Sequence, residues 1–333
     1  MQSTNTSTWR GVFLLVAVVV EGLGVQMVAS YSSCVRPMAG PDCADSNLAR
    51  TSDVNDKIAG GHVAEPGSTP WLVSLMDTHY VDPVPFCGGT LISHRWVITS
   101  ASCVTSYQGN HDNIKVVLGE YDLTVDEGWE RTRCVNYIVL HPEYDYYTHH
   151  ADVALIRLGF YIFYSQRIGT LKLPPWWHTK TNEAQEDSTS GDLYTIAGWG
   201  RVGESGEYSP VIRVAQVPLL SREDCMEVYP EFTNTMICAG NLTYGGLDSC
   251  QGDLGGALAS DGYIRGVSSW SVGCGRPGYP GVYTDVTRVM DWICTITNLL
   301  ASSSLDRLQP CQHLEGAREG AKEEPSNEVG LGK

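Results

Sequence analysis

From residue 58 to about residue 300 the apolar positions come in short β-branched and aromatic runs rather than in long helical stripes. Residues 71–75, 96–99, 115–118, 153–158, 194–197, 263–268 and 281–286 each read as a strand, and Gly, Pro, Asn and Asp separate them as turns. Many short strands at this spacing predict an all-β barrel or sandwich. The period changes over 289–300, where Met290, Ile293 and Ile296 or Thr297 fall on one side of a terminal helix.

Both ends differ from this middle. Residues 1–30 carry Arg10, an apolar run at 11–20 and small residues at Val28, Ala29 and Ser30, the layout of a cleavable secretory signal cut near Ser30. A membrane anchor is the competing reading, but Glu21 breaks the run short of the roughly 20 apolar residues that a span needs. Residues 31–57 are short and polar, hold Cys34 and Cys43, and read as a pro-segment. Residues 301–333, rich in Glu, Gly and Lys, read as a disordered polar tail, which leaves 58–300 as the folded domain. The expected location is therefore extracellular.

Composition narrows the function. The 333 residues are 42% apolar and include 35 glycines, which suits a folded, turn-rich chain. A net charge of −16 with no cluster of Lys and Arg argues against nucleic-acid binding, because phosphate contacts need concentrated positive charge. Eleven cysteines in an exported chain point to a disulfide framework, and the odd number leaves one without a partner in the chain, open to an intermolecular disulfide. Without a Cys-x-x-Cys pair, a metal-thiolate site is a poor alternative.

Several segments carry a more specific signal. In chain order they are Lys57-Ile58-Ala59-Gly60-Gly61, Phe86-Cys87-Gly88-Gly89-Thr90, Trp96-Val97-Ile98-Thr99 and Ala151-Asp152-Val153-Ala154-Leu155. Ala197-Gly198-Trp199-Gly200, Met236-Ile237-Cys238-Ala239-Gly240, Asp248-Ser249-Cys250-Gln251-Gly252-Asp253 and Pro280-Gly281-Val282-Tyr283-Thr284 follow. Together they resemble the trypsin/chymotrypsin family of serine proteases over 58 to about 300. The resemblance implies two packed six-stranded antiparallel β-barrels with a cleft between them, and a C-terminal helix.

That family cuts peptides with a serine nucleophile, a histidine base and a buried aspartate that orients the histidine. Here Thr99-Ser100-Ala101-Ser102-Cys103 puts Ser102 where the resemblance places the histidine, and a hydroxyl cannot take up a proton near neutral pH as imidazole can. Gly252-Asp253-Leu254-Gly255-Gly256 puts Leu254 at the nucleophile's place, and its hydrocarbon has no lone pair to attack a carbonyl. Of the three only Asp152 remains. In a comparable serine protease, loss of the nucleophile or the base alone removes about 10⁶ in turnover, and such losses do not add.

The expected function is therefore non-catalytic: a secreted pseudoprotease that binds proteins or peptides such as proteases, inhibitors or surface ligands, as a decoy or cofactor in a protease cascade. The alternative is a trypsin-like endopeptidase cleaving after Lys or Arg with an unusual centre, in which His149 or His150 and Ser249 stand in for the missing groups. A structural component of the extracellular matrix is a third reading.

Other positions keep the family's pattern. Asp248 resembles the pocket floor of members that recognise Lys and Arg, and Gly281 its wall, while Ser271 with Val272 is expected to narrow the entrance. Gly252 keeps one oxyanion-type backbone donor. Cleavage after Lys57 would free the Ile58 ammonium to pair with Asp253, a switch that can order a binding surface without catalysis. Glu120, Glu127 and Glu130, with carbonyls of Asp122 and Val125, resemble the family's calcium loop, an acidic solvated hairpin being the competing reading. The resemblance implies bridges Cys87–Cys103, Cys225–Cys238 and Cys250–Cys274, and assigns no partner to Cys34, Cys43, Cys134, Cys294 or Cys311. Asn241-Leu242-Thr243 is a glycosylation sequon.

Overall fold

The computed structural model describes residues 61–79, 85–175 and 191–312. A short strand β1 (His62–Val63) comes first, followed by β2 (Leu72–Asp77), β3 (Cys87–Leu91), β4 (Trp96–Thr99), β5 (Ile114–Leu118), β6 (Arg131–Leu140) and β7 (Ala154–Leu158). The six strands β2 to β7 close into an antiparallel barrel in the order β2-β3-β4-β7-β6-β5. The second half holds β8 (Leu193–Gly198), β9 (Arg213–Pro218), β10 (Met236–Ala239), β11 (Ala257–Ser260), β12 (Tyr263–Trp270) and β13 (Gly281–Asp285). These pair as β1-β9-β8-β11-β12-β13-β10, and a bridge between Leu219 and Ala239 joins the end of β9 to β10. The bridge brings β9 and β10 together, so these six strands curl round as a second barrel, with β1 paired to β9 at its margin.

Among the described residues three α-helices accompany the strands: α1 (Ala101–Val104), α2 (Arg222–Val228) and α3 (Val286–Leu299). Alternation along the strands decides which apolar side chains meet. Val97, Ala154 and Ile156 point into the first barrel, while Trp96, Ile98 and Leu155 point out and pack with Val267, Val286 and Met290 between the barrels. Strands β4 and β7 are therefore buried on both faces, and the interface they build lines up the two halves of the cleft. Asp285 caps α3 by accepting from Thr287 N at 2.9 Å, and Val289, Met290, Ile293, Ile296 and Thr297 form the buried stripe that the sequence periodicity predicts.

One expectation is corrected. The sequence predicts a disordered polar tail over 301–333 beyond a domain ending at 300, but 301–312 are packed on the domain, with Leu308 and Cys311 buried in the interface cluster. Cys294 and Cys311, to which the sequence assigns no partner, form a bridge that pins this segment to α3. Average composition hides the change because the apolar and bridging residues fall in the first third of an otherwise polar stretch. Cys134 is also disulfide-bonded, to a partner outside the described residues. Lys57, Ile58, Cys34 and Cys43 lie outside the described residues as well. Among the described residues no helix is long and apolar enough to cross a membrane.

Candidate functional site

The floor of the cleft is set where β7 begins. His149 and Ala151 take left-handed backbone conformations, φ 56° and 48°, so the chain turns sharply and delivers Asp152 into the interior with no exposed surface. Thr284 of β13 donates to the Asp152 carbonyl at 2.8 Å, fastening this turn to the second barrel. On the facing side Ser100 caps α1, and the first turn of that short helix places Ser102 against the carboxylate. Ser102 N donates to Asp152 Oδ1 at 2.7 Å and Ser102 Oγ to Oδ2 at 2.9 Å. Ser269 of β12 donates to Oδ2 from the other barrel at 2.6 Å. One amide and two hydroxyls thus satisfy a carboxylate that no cation neutralises by a hydrogen bond, which is how a buried charge avoids the full cost of desolvation.

The two histidines do not rebuild a base beside a serine. His149 Nδ1 lies 3.7 Å from Asp152 Oδ2 without a hydrogen bond, its ring 6.1 Å from that of Trp270. His150 instead meets the hydroxyl of Thr235 at 3.3 Å and lies 3.9 Å from Glu143. Ser249 is buried and turned to Ser268 Oγ, 3.0 Å away, and towards Tyr283. A replacement pair made from Ser249 and either histidine is not assembled here.

Leu254 sits in a turn that only glycine-rich sequence can form. Gly252 and Gly255 have φ of 101° and 82°, and a side chain on Gly255 would run into Thr99 and the Gly88 carbonyl. The Leu254 carbonyl accepts from Gly88 N at 2.8 Å, which pins the turn to β3, and its half-buried side chain packs on the interior cluster of the first barrel. Next to it Asp253 is wholly buried, accepting from Gly200 N at 2.8 Å and Cys250 N at 3.1 Å. Burial pushes its carboxyl up to about 6. Any side chain on Gly198 or Gly200 would collide with this carboxylate, a physical reason for the Ala197-Gly198-Trp199-Gly200 run.

Behind the turn lies Asp248, almost wholly buried. Asp248 Oδ2 accepts from Gly275 N at 3.1 Å, whereas Oδ1 is buried with no hydrogen-bond partner, and burial pushes the carboxyl up to about 7. A side chain on Gly281 would strike Oδ1, so only a bare glycine fits beside that oxygen. The Cys250–Cys274 bridge ties floor to wall. Ser271 donates to the Gly273 carbonyl at 2.6 Å, so its hydroxyl is committed to its own loop. Sequence reasoning did not find the brace outside this wall, where Glu204 pairs with Arg276, or the ring of Tyr208 against Gly252. It also missed Ser269 as a donor to Asp152, since nothing local marks a contact made 117 residues away.

In the acidic loop, Glu120 is pushed up to about 7 by burial and by the charges of Glu130, Glu127 and Asp122. Glu130 Oε1 accepts from Glu127 N at 2.8 Å, but its Oε2 is buried without a partner. Such mutual repulsion and an orphaned carboxylate oxygen fit a divalent cation. Glu127 itself is taken up by Arg167 at 2.8 Å. Among the described residues no three His, Cys, Asp or Glu side chains converge to hold a metal, so carbonyls such as those of Asp122 and Val125 would have to complete any shell. Asn241 is half-buried, and its Oδ1 accepts from Thr243 N and Tyr244 N at 3.0 and 2.9 Å. The bridges Cys87–Cys103, Cys225–Cys238 and Cys250–Cys274 are all present.

Comparison with known proteins agrees with this geometry. The family model described as Trypsin matches residues 58–293. The chain is 40% identical to anionic trypsin of Bos taurus over 248 residues, 74% of this chain and 92% of the relative. It is 38% identical to trypsin II-P29 of Gallus gallus over 72% of this chain and 88% of the relative. Serine protease 1 of Homo sapiens is 36% identical over 77% of this chain and 95% of the relative. With two antiparallel barrels, the three cleft bridges and the Asp152, Asp248 and Asp253 turns in place, the chain belongs to the trypsin family of serine-protease domains.

Proposed function

We propose that this trypsin-family chain is a secreted pseudoprotease: it presents the cleft as a binding surface for proteins or peptides and does not cut them. The observation that carries the reading is the pairing of Ser102 with Asp152 at 2.9 Å while Leu254 occupies the turn at the cleft. An alcohol bonded to a buried carboxylate is a hydrogen-bond donor there and takes no proton, and a hydrocarbon forms no acyl bond. One observation favours the endopeptidase alternative, the position of His149 Nδ1 3.7 Å from Asp152 Oδ2. That route still needs a nucleophilic hydroxyl beside the ring, and Ser249 is turned away to Ser268.

The Asp248 pocket supports a partner that presents a Lys or Arg side chain. An unpartnered carboxylate oxygen in a buried pocket gains most from a guanidinium, amidinium or ammonium. Because burial pushes the Asp248 carboxyl up to about 7, the group is largely protonated below that pH, and a cation must displace the proton. For protein cleaved after Lys57, benzamidine affinity by calorimetry is expected to fall about tenfold per pH unit below 7. A serine-directed fluorophosphonate is expected to leave the cleft unlabelled. Stoichiometric labelling would overturn the non-catalytic reading, and equal benzamidine affinity at acid and alkaline pH would overturn the pocket reading.

Calcium, where bound, would supply a structural charge between Glu120 and Glu130. The folded carboxyl of Glu120 stands above its unfolded value, so the folded state binds the extra proton and stability is lost as pH rises from about 4.5 to about 7. A cation removes that loss. Calcium is expected to raise the melting temperature at pH 8 and to have little effect at pH 4.5, and Glu130→Gln is expected to abolish the rise. An identical rise in the Glu130→Gln protein would place the ion elsewhere.

A further inference from the structure

Asp248 is 1% exposed, and its Oδ1 is buried without a hydrogen-bond partner. The segment 271–276 lies against it: Gly275 N donates to Asp248 Oδ2 at 3.1 Å, and Gly275 O accepts from Gly246 N at 2.7 Å. A Lys or Arg side chain therefore reaches the free oxygen only when a covering segment moves outward. From its far side 271–276 is held by an ion pair. Glu204 Oε1 accepts from Arg276 Nε and, at 3.3 Å, from Cys274 N, while Oε2 accepts from Arg276 Nη2 at 2.9 Å. We propose that the Glu204–Arg276 pair is a latch that holds 271–276 closed over Asp248, and that its release admits a cationic side chain or an amidine. The latch rests on the reading of Asp248 as the recognition site for Lys or Arg, and adds how access to that site is controlled.

Both sides of the pair are built to bring it together. Residues 201–208 form a short hairpin, in which Arg201 pairs with Tyr208 and Val202 N donates to Glu207 O at 3.0 Å, so Glu204 falls at its tip. The base of the hairpin is fixed. Arg201 N donates to Gln251 O at 2.8 Å, the Arg201 guanidinium lies 5.1 Å from the centre of the Tyr208 ring, and that ring lies against Gly252. On the opposite segment Gly273 has φ 80°, and any side chain there would collide with the Glu204 carboxylate, so glycine makes room for the pair. The Cys250–Cys274 bridge is covalent and the Gly275 bonds to Asp248 and Gly246 use backbone groups, whereas Glu204 and Arg276 are solvent-exposed side chains. Their pairing is therefore the contact that salt or an approaching charge loosens most easily. An exposed pair shifts an equilibrium only a few-fold, which suits a reversible latch.

The test measures benzamidine binding by calorimetry at pH 8 on the full secreted chain cleaved after Lys57. Four proteins are compared: the unaltered chain, Glu204→Gln, Arg276→Gln, and the charge exchange Glu204→Arg with Arg276→Glu. A closed form that takes no ligand lowers the apparent affinity in proportion to its population. Both single variants are therefore expected to bind about two- to fivefold more tightly at low salt, and the charge exchange to return to the unaltered affinity. The differences are expected to shrink in about 0.5 M salt. Charge alone predicts another pattern, since losing Glu204 would weaken the binding of a cation and losing Arg276 would strengthen it. Opposite signs for the two single variants, or equal affinity in all four proteins, would overturn the latch and leave Asp248 as the recognition site. No binding by any of the four would overturn the reading of Asp248, and the latch with it. Hydrogen exchange gives a check without ligand: amides of 271–278 are expected to exchange faster in both single variants, and unchanged exchange would also overturn the latch.

Discussion

Replacing Ser102 by His and Leu254 by Ser together is expected to raise hydrolysis of an arginine anilide by at least about 10⁴-fold over the unaltered protein, both cleaved after Lys57. The expectation follows from what is already in place. Asp152 is buried, its Oδ2 is held by Ser269 at 2.6 Å and its backbone by Thr284 at 2.8 Å, so an imidazole at 102 would meet an oriented acceptor. Gly252 at φ 101° and the turn pinned by Gly88 present the backbone that faces a developing oxyanion. Either substitution alone should gain little, because a base without a nucleophile and a nucleophile without a base are nearly as poor as neither. A double variant no faster than the better single one would mean that the cleft is distorted beyond these two side chains, and that the Ser271–Arg276 wall or Tyr208 obstructs the substrate. Rapid turnover by the unaltered chain would mean that the reaction runs through groups other than Ser102 and Leu254.

How much of this was legible before the structure depends on the kind of contact. Strands β4 and β7 stand out in sequence because both their faces are buried, one inside a barrel and one between barrels, so every position is free to be apolar. Strand β9 alternates in burial over Arg213–Pro218, but its buried set is Arg213, Ala215 and Val217 while Val214 lies on the other face, so side-chain type does not follow the alternation. Strand β6 begins with exposed Arg131 and Thr132 and turns apolar only at Val135, so its first half looks like loop. The site was legible wherever identity alone matters, as at Ser102, Asp152, Leu254 and Asp248. It was not legible where a partner comes from far along the chain, as with Ser269 on Asp152 or Glu204 on Arg276. Local pattern carries periodicity and special residues, whereas a contact between distant segments depends on which strands and loops happen to meet.

The packed segment after α3 shows the same limit and carries the second large effect. Asp306 is fully buried, and its Oδ2 accepts from Ser302 N and Ser302 Oγ, both at 2.7 Å, and from Tyr161 OH at 3.3 Å. It faces Arg157 of β7 at 3.5 Å, and that guanidinium also donates to Ser302 Oγ at 2.9 Å. Asp306→Ala would leave the Arg157 cation buried without its counter-charge, a defect worth about 3–5 kcal/mol. For a domain of this size the melting temperature should drop by roughly 10 °C. Truncation after residue 300 should cost more, because it removes the Cys294–Cys311 bridge, itself worth roughly 2–4 kcal/mol, along with Leu308 and the Asp306 network. Truncation after residue 312 keeps every one of these contacts and is expected to leave the melting temperature unchanged. Equal melting of the two truncated proteins would show that the segment lies on the barrel without supporting it. A large drop confined to the shorter one would make residues 301–312 part of the folded domain rather than an appendage to it.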